Sequence, residues 1–105
     1  MSDPTLVVQM YTLSLLPVEH PLRSIYQVVL ERRPDDRWVV KDSRSGRSFL
    51  SVNGEWNWGP DGDEEWVRDH WHSFDRAVEL ARRACRDIRV NGNSAEDVLK
   101  RRPDG

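Results

Sequence analysis

Residues 73–88 constrain the fold most, because this is the long stretch with a clear helical period. Apolar side chains recur there every three or four residues, as on one stripe of an amphipathic helix: Phe74, Ala77, Val78, Ala81, Ala84, Cys85 and Ile88. Ser73 stands at the N-cap position, where its hydroxyl can accept a hydrogen bond from a first-turn amide. Most of the stripe is small, so its packing partner must supply bulky side chains. The sequence therefore predicts a helix over 73–88 that faces large apolar residues.

Those large residues are expected on an antiparallel sheet. Four β-prone runs between turn-forming residues predict a meander of about four strands: 24–32, 37–42, 47–52 and 55–58. Asn53 and Gly54 predict a two-residue hairpin turn, and a four-residue loop at 43–46 places Val40 beside Phe49. One face of the sheet is then bulky: Tyr26, Val28, Leu30, Trp38, Val40, Phe49, Trp56 and Trp58. The predicted fold class is α+β, with this face packed on the long helix.

The opposite sheet face is also partly apolar. In the predicted register it carries Val29, Val39, Leu50 and Val52, too much apolar surface to be left to water. One cover is the N-terminal segment 5–16, which is β-prone and predicts either a fifth strand or an interface segment. The other cover is a second chain. The four residues are therefore candidate contacts with a protein partner, and a homodimer is one alternative.

The remainder of the chain predicts a second helix and a single domain. Gly92 suits the left-handed position after the long helix, and Ser94 with Asp97 resembles a capping box. These signals predict a short helix over 95–102. The chain of 105 residues is long enough for one modest core, so we expect one domain with frayed ends at about 1–4 and 103–105.

Composition limits the cellular compartments and the classes of binding partner to be expected. A single cysteine cannot form an intrachain disulfide, which is typical of proteins from a reducing compartment. A formal net charge of −2 provides no overall attraction to nucleic acid or to anionic membranes. The apolar N-terminal run is interrupted by polar residues and has no basic residue before Arg23. This pattern is that of neither a signal peptide nor a membrane span. We expect a cytoplasmic protein without a membrane partner.

Catalysis and metal binding have few candidate residues. His70 and His72 form an H-x-H pair, which on a strand directs both imidazoles to one side and can chelate zinc. No third ligand is specified by the spacing, so a small metal-dependent enzyme is the second alternative. Cys85 lies on the apolar stripe, where a thiol is inert, and we find no nucleophile elbow, phosphate-binding glycine loop or carboxylate pair. No catalytic residue and no cofactor are predicted.

An acidic segment at 59–69 is predicted as a loop. Its carboxylates lack the spacing of a calcium-binding loop. Glu64 and Glu65 precede Trp66, and aromatic rings beside charges are common at binding surfaces. These three residues are therefore predicted to contact a protein partner.

Several arginines are expected at the tips and edges of the hairpins: Arg32, Arg37, Arg44 and Arg47. A three-stranded sheet followed by one long helix resembles, in element order over residues 25–88, the AP2-like DNA-binding domains. The resemblance implies DNA contacts through sheet residues, whereas the acidic segment at 59–69 departs from that pattern. Nucleic-acid binding is thus the first alternative. The principal prediction is a small non-enzymatic interaction module that binds a protein of unidentified nature.

Overall fold

The computed structural model describes residues 7–43, 48–58 and 63–100, and within them the fold is α+β, as predicted. One antiparallel sheet has its strands in chain order: β1 (Met10–Ser14), β2 (Gln27–Arg33), β3 (Arg37–Asp42), β4 (Phe49–Leu50) and β5 (Trp56–Asn57). The helices are α1 (Glu64–His70), α2 (Phe74–Asp87) and α3 (Ala95–Lys100), with a small hairpin of β6 (Arg89–Val90) and β7 (Asn93–Ser94) between the last two. None of these helices has both the length and the apolarity to cross a bilayer.

The predicted long helix is confirmed as α2, which lies across β1, β2 and β3. Ser73 caps it, because the Ser73 hydroxyl accepts the N–H of Arg76. Large sheet residues meet small helix residues in the main core: Val28, Leu30, Trp38, Val40, Leu50, Ala77, Leu80, Ala81, Ala84 and Cys85. Leu80 is fully part of this core although the predicted stripe omitted it, while Phe74 at the start of α2 is 37% exposed.

The register beyond β3 differs from the prediction by one residue. Lys41, and not Val40, lies opposite Phe49, and the amide of Asp42 bonds to the carbonyl of Ser48. Five residues, 43–47, therefore separate the paired ends where the prediction assumed four. Since side chains alternate between faces along a strand, this single extra residue turns Phe49 away from α2 and turns Leu50 toward it.

The turn between β4 and β5 is also wider than predicted. The amide of Ser51 bonds to the carbonyl of Glu55 at 2.8 Å, so three residues form the turn, and Gly54 takes its left-handed position at φ 82°. The Ser51 hydroxyl accepts the amides of Asn53 and Glu55 and thereby stabilises the wider loop. Asn53-Gly54 is thus not a two-residue turn.

A two-residue turn occurs instead at Asn91-Gly92, which joins β6 and β7 with φ values of 53° and 82°. Gly92 is left-handed as predicted, but as part of a hairpin. The capping box is confirmed, because the amide of Asp97 bonds to the Ser94 hydroxyl and the amide of Ser94 bonds to the Asp97 carboxylate. The predicted end of this helix at residue 102 lies outside the described residues.

Candidate functional site

The acidic segment is partly helical, so its prediction as a loop is wrong over residues 64–69. Asp63 is the N-cap of α1, because its carboxylate accepts the amide of Trp66 at 3.0 Å. Glu64 and Glu65 occupy the first turn, where negative charge is favourable to the helix dipole. Seven residues with few apolar positions show no recognisable period, which explains why the sequence did not reveal α1. Residues 59–62 lie outside the part of the chain that the structure describes.

Helix α1 packs against the sheet face opposite α2. The Trp66 ring meets Phe49 edge to face, with centroids 5.2 Å apart, and stacks on His70 at 4.0 Å. Near β4 this face is therefore covered by α1, and not by the N-terminal segment or a second chain as predicted. The N-terminal segment contributes β1, the predicted fifth strand, at the edge of the sheet.

This packing changes the predicted contact surface. Val39 is 0% exposed and Leu50 is 2% exposed, the latter inside the core with α2, so neither side chain can reach a partner. Val29 is half-buried, and Val52 is exposed in the β4–β5 turn. Among the acidic-segment candidates, Glu64 and Glu65 are exposed while Trp66 is engaged in internal packing. These residues do not form one continuous surface.

Charged residues on this same face are tied to one another. Glu31 accepts hydrogen bonds from Arg33 at 2.6 Å and from Lys41 at 2.8 Å, and the Lys41 ammonium lies 5.9 Å from the Phe49 ring centroid. Burial raises the pKa of Glu31, but the bonds from Lys41 and Arg33 outweigh it, and the pKa lies below its ordinary value. The face therefore carries a half-buried ion-pair network beside its apolar part.

The two histidines serve different parts of the sheet. His70 is the last residue of α1 and not part of a strand; its Nδ1 donates to the Trp66 carbonyl, so its Nε2 accepts from the Asn57 amide. His72 is 4% exposed, and its Nε2 donates to the carbonyl of Leu50 at 2.9 Å. The backbone of His72 exchanges two hydrogen bonds with Trp38, so this residue joins β3 to β4 where the two strands diverge.

The pKa of His72 lies below its ordinary value, chiefly because the ring is buried. The hydrogen bond to the Leu50 carbonyl raises this pKa, while His70, Arg76 and Arg37 lower it further. Burial also raises the pKa of the Cys85 thiol. Across residues 7–43, 48–58 and 63–100, no three His, Cys, Asp or Glu side chains come together as a metal site. Both rings instead form hydrogen bonds within the chain: His70 with Trp66 and Asn57, and His72 with Leu50.

The predicted arginine cluster is divided between the two sheet faces. Arg32 lies opposite Trp38, on the α2 side, and forms an ion pair with Asp36. Arg37 lies opposite Arg33, on the other side. Arg44 and Arg47 fall outside the described residues. Arg32 and Arg37, the two predicted nucleic-acid contacts that the structure describes, thus form no common patch.

A concave surface lies where α2 stops covering the sheet. Trp56 projects on the α2 side at 40% exposure, beside Trp58 at 66%. Two cavities of about 380 Å³ each share Trp56, Ala84 and Asp87 in their walls. Together they form what we call the Trp56 groove, whose other lining residues include Leu50, Val52, Arg76, Leu80 and Arg83 on one side and Val28, Asp42, Ser48, Ile88 and Arg89 on the other.

Sequence reasoning placed Trp56 and Trp58 in the core and so missed the groove. A helix about 10 Å wide, laid along strands spaced about 4.8 Å apart, covers only two or three of them. A sheet of more than three strands with one long helix on a face therefore leaves strands uncovered. Element widths were the signal that could have located this surface.

No protein family model, no curated protein and no solved structure matches the chain. A function must be inferred from the residues just described.

Proposed function

We propose that the chain is a small non-enzymatic interaction module that binds another protein through the Trp56 groove. The observation that carries the proposal is Trp56, a large aromatic side chain 40% exposed in the wall of two adjoining cavities. Tryptophan is the residue type most enriched among those that dominate binding energy at interfaces, particularly when it lies beside a pocket. Trp58, which is still more exposed, extends the aromatic surface.

The lining of the groove indicates what it accepts. Buried Leu50, Leu80 and Ala84 supply apolar wall at its base. The rim carries both signs of charge, with Arg83 and Asp87 on α2. Arg76 at the same rim donates to the Val52 carbonyl at 3.0 Å and so ties α2 to the β4–β5 turn. A partner segment that inserts an apolar side chain between Trp56 and α2, with polar groups toward the rim, would complement this lining.

Charge favours a protein partner over nucleic acid. A nucleic-acid surface depends on several cations directed to one side, and Arg32 and Arg37 lie on opposite faces of the sheet. Arg83 is paired with Glu79, and Asp87 also lines the groove. The expectation of a cytoplasmic protein remains part of the proposal, and its one thiol, Cys85, is free and buried.

The test is affinity capture of the tagged chain from the cytoplasmic fraction of its source, with and without nuclease, followed by calorimetry on the purified pair. The variants are Trp56→Ala and, as a matched control, Leu99→Ala, which removes an exposed apolar side chain from α3. We expect a protein whose capture survives nuclease and whose Kd rises about 30-fold or more with Trp56→Ala, because interface tryptophans often contribute about 2 kcal/mol or more. Leu99→Ala should leave the Kd unchanged.

Two results would contradict the proposal. Capture that disappears with nuclease would favour the nucleic-acid alternative. A directly binding protein whose Kd is the same for Trp56→Ala and wild type would remove the groove as the contact surface.

A further inference from the structure

Strand β1 is an open edge of the sheet. Tyr11 lies opposite Leu30 on β2, and the amide of Arg32 bonds to the carbonyl of Gln9, so the odd-numbered residues direct their backbone groups toward β2. The backbone groups of Met10 and Thr12 therefore point away from the sheet. Because β1 is the first strand in the sheet order, no strand of the described chain lies beyond this edge.

The residues of β1 itself do not supply the usual protection against pairing. Proteins commonly place charged residues or proline on exposed edge strands, and short edges offer little to pair with. No charged residue occurs between Asp3 and Glu19. Apolar side chains along β1 and just before it are exposed on both faces: Val7, Val8, Met10 and Tyr11. The opposite edge, β5, has only two residues.

We propose that a second copy of this chain pairs antiparallel with β1 about a two-fold axis at Met10, so that the two sheets continue into one. Met10 then lies opposite Met10 of the second copy and exchanges two backbone hydrogen bonds with it. Val8 lies opposite Thr12, and Val7 opposite Leu13. The pairing brings exposed apolar side chains together with uncharged neighbours.

The position of Arg23 selects Met10 as the centre. Arg23 donates to the Thr12 hydroxyl at 3.3 Å and to the Leu16 carbonyl at 2.5 Å, so its guanidinium stands beside the second half of β1. A two-fold axis at Thr12 would bring two guanidinium groups together. With the axis at Met10, the two Thr12 positions are about 14 Å apart along the strands, since four residues of about 3.4 Å separate them.

Self-complementarity selects a second copy as the occupant. A two-fold axis makes the same patch serve both subunits, so one pairing covers the open edges of both chains. The patch carries no charge that self-pairing would oppose, apart from the separated Arg23 groups. The Trp56 groove includes the opposite end of the sheet, so the dimer and the proposed partner contact are separate and can fail independently.

The first test is sedimentation velocity of the full chain from about 1 µM to about 500 µM, a range that spans micromolar dissociation constants. We expect wild type to dimerise and Met10→Lys to raise the dimer Kd at least about tenfold, because like charges then lie directly opposite. The matched control is Val18→Lys, which adds the same charge at an exposed residue outside β1. Met10→Glu should dissociate likewise, and an equal mixture of Met10→Lys and Met10→Glu should restore the dimer.

The register is tested with cysteine variants under mild oxidation. Met10→Cys should form an intermolecular disulfide, since its Cα atoms would be about 5.5 Å apart, whereas Thr12→Cys should not. Met10→Pro provides a second variant, because it removes an outward N–H and leaves the bonds to β2 intact. A wild-type chain that stays monomeric over the whole range, or that binds strands of other proteins at β1 only as a monomer, overturns the proposal. A dimer that all Met10 variants leave unchanged, or one that crosslinks through Thr12→Cys, overturns it as well.

Discussion

The side chain of His72 should contribute a pH-dependent part of the stability, because it fastens β4 beside β3. It is 4% exposed, and its Nε2–H bonds to the Leu50 carbonyl at 2.9 Å. His72→Ala would leave that carbonyl without its donor and open a space where the ring lies. Together these effects should lower the free energy of unfolding by about 2–4 kcal/mol. His72→Gln should lose less, since an amide N–H can reach the same carbonyl.

The pH dependence follows from the lowered pKa of His72. Below pH 6.5, the ordinary pKa of histidine, His72 of the unfolded chain binds a proton more readily than His72 of the folded chain does. The free energy of unfolding therefore falls as the pH drops from about 6.5 through the lower folded pKa, by at most about 1.4 kcal/mol per pH unit for one proton. Above pH 6.5 the contribution is fully present.

Urea unfolding followed by tryptophan fluorescence, at intervals between pH 8 and pH 5, measures this effect. The informative quantity is the difference in unfolding free energy between wild type and His72→Gln, because the two proteins share every other side chain. We expect that difference to shrink or reverse on acidification. A difference that stays constant from pH 8 to pH 5 would refute the assignment of a buried, neutral His72.

Two further predictions concern the free energy of unfolding that is lost when a single residue is replaced, and both are measured by chemical denaturation. Leu80→Ala should destabilise by about 2–5 kcal/mol because it removes the largest helix side chain from the main core, whereas Leu99→Ala at an exposed position of α3 should cost less. Equal losses would contradict this core assignment. Gly54→Ala should cost about 1–2 kcal/mol from its φ of 82° alone, since a methyl group there meets no atom within 4 Å. A neutral or stabilising substitution would show that the turn adopts another conformation.

Local signals in the sequence were good predictors because each depends on neighbouring residues only. Ser73 caps α2 as expected, and Ser94 with Asp97 forms the predicted capping box at the start of α3. The three-residue connection from β2 to β3 kept Val28 and Leu30 on the same face as Trp38 and Val40, as an odd loop length requires. The architecture could therefore be predicted as far as β3.

Beyond β3 the prediction depended on a loop length that no local signal specifies. One additional residue moved Phe49 and Leu50 to the opposite faces from those expected. That slip also altered the candidate site, since Leu50 was assigned to an interface that it does not reach. The Trp56 groove could not be predicted from residue types, because tryptophan in a β-prone run is as typical of a core as of a binding surface.

Because the predicted register placed Phe49 on the wrong face of the sheet, its contact with Trp66 was not predicted. A double-mutant cycle tests this contact. Phe49 meets Trp66 of α1 edge to face at 5.2 Å, on the sheet face for which the sequence suggested the N-terminal segment or a second chain as cover. Phe49→Ala and Trp66→Ala should each destabilise the fold, and the double variant should lose less than the sum by about 0.5–1.5 kcal/mol, the range for aromatic pairs. The matched cycle pairs Phe49→Ala with Leu99→Ala, an exposed residue on α3, and should be additive. Additivity in the Phe49–Trp66 cycle would mean that α1 does not rest on the sheet, and the second face would again need a cover from outside the chain.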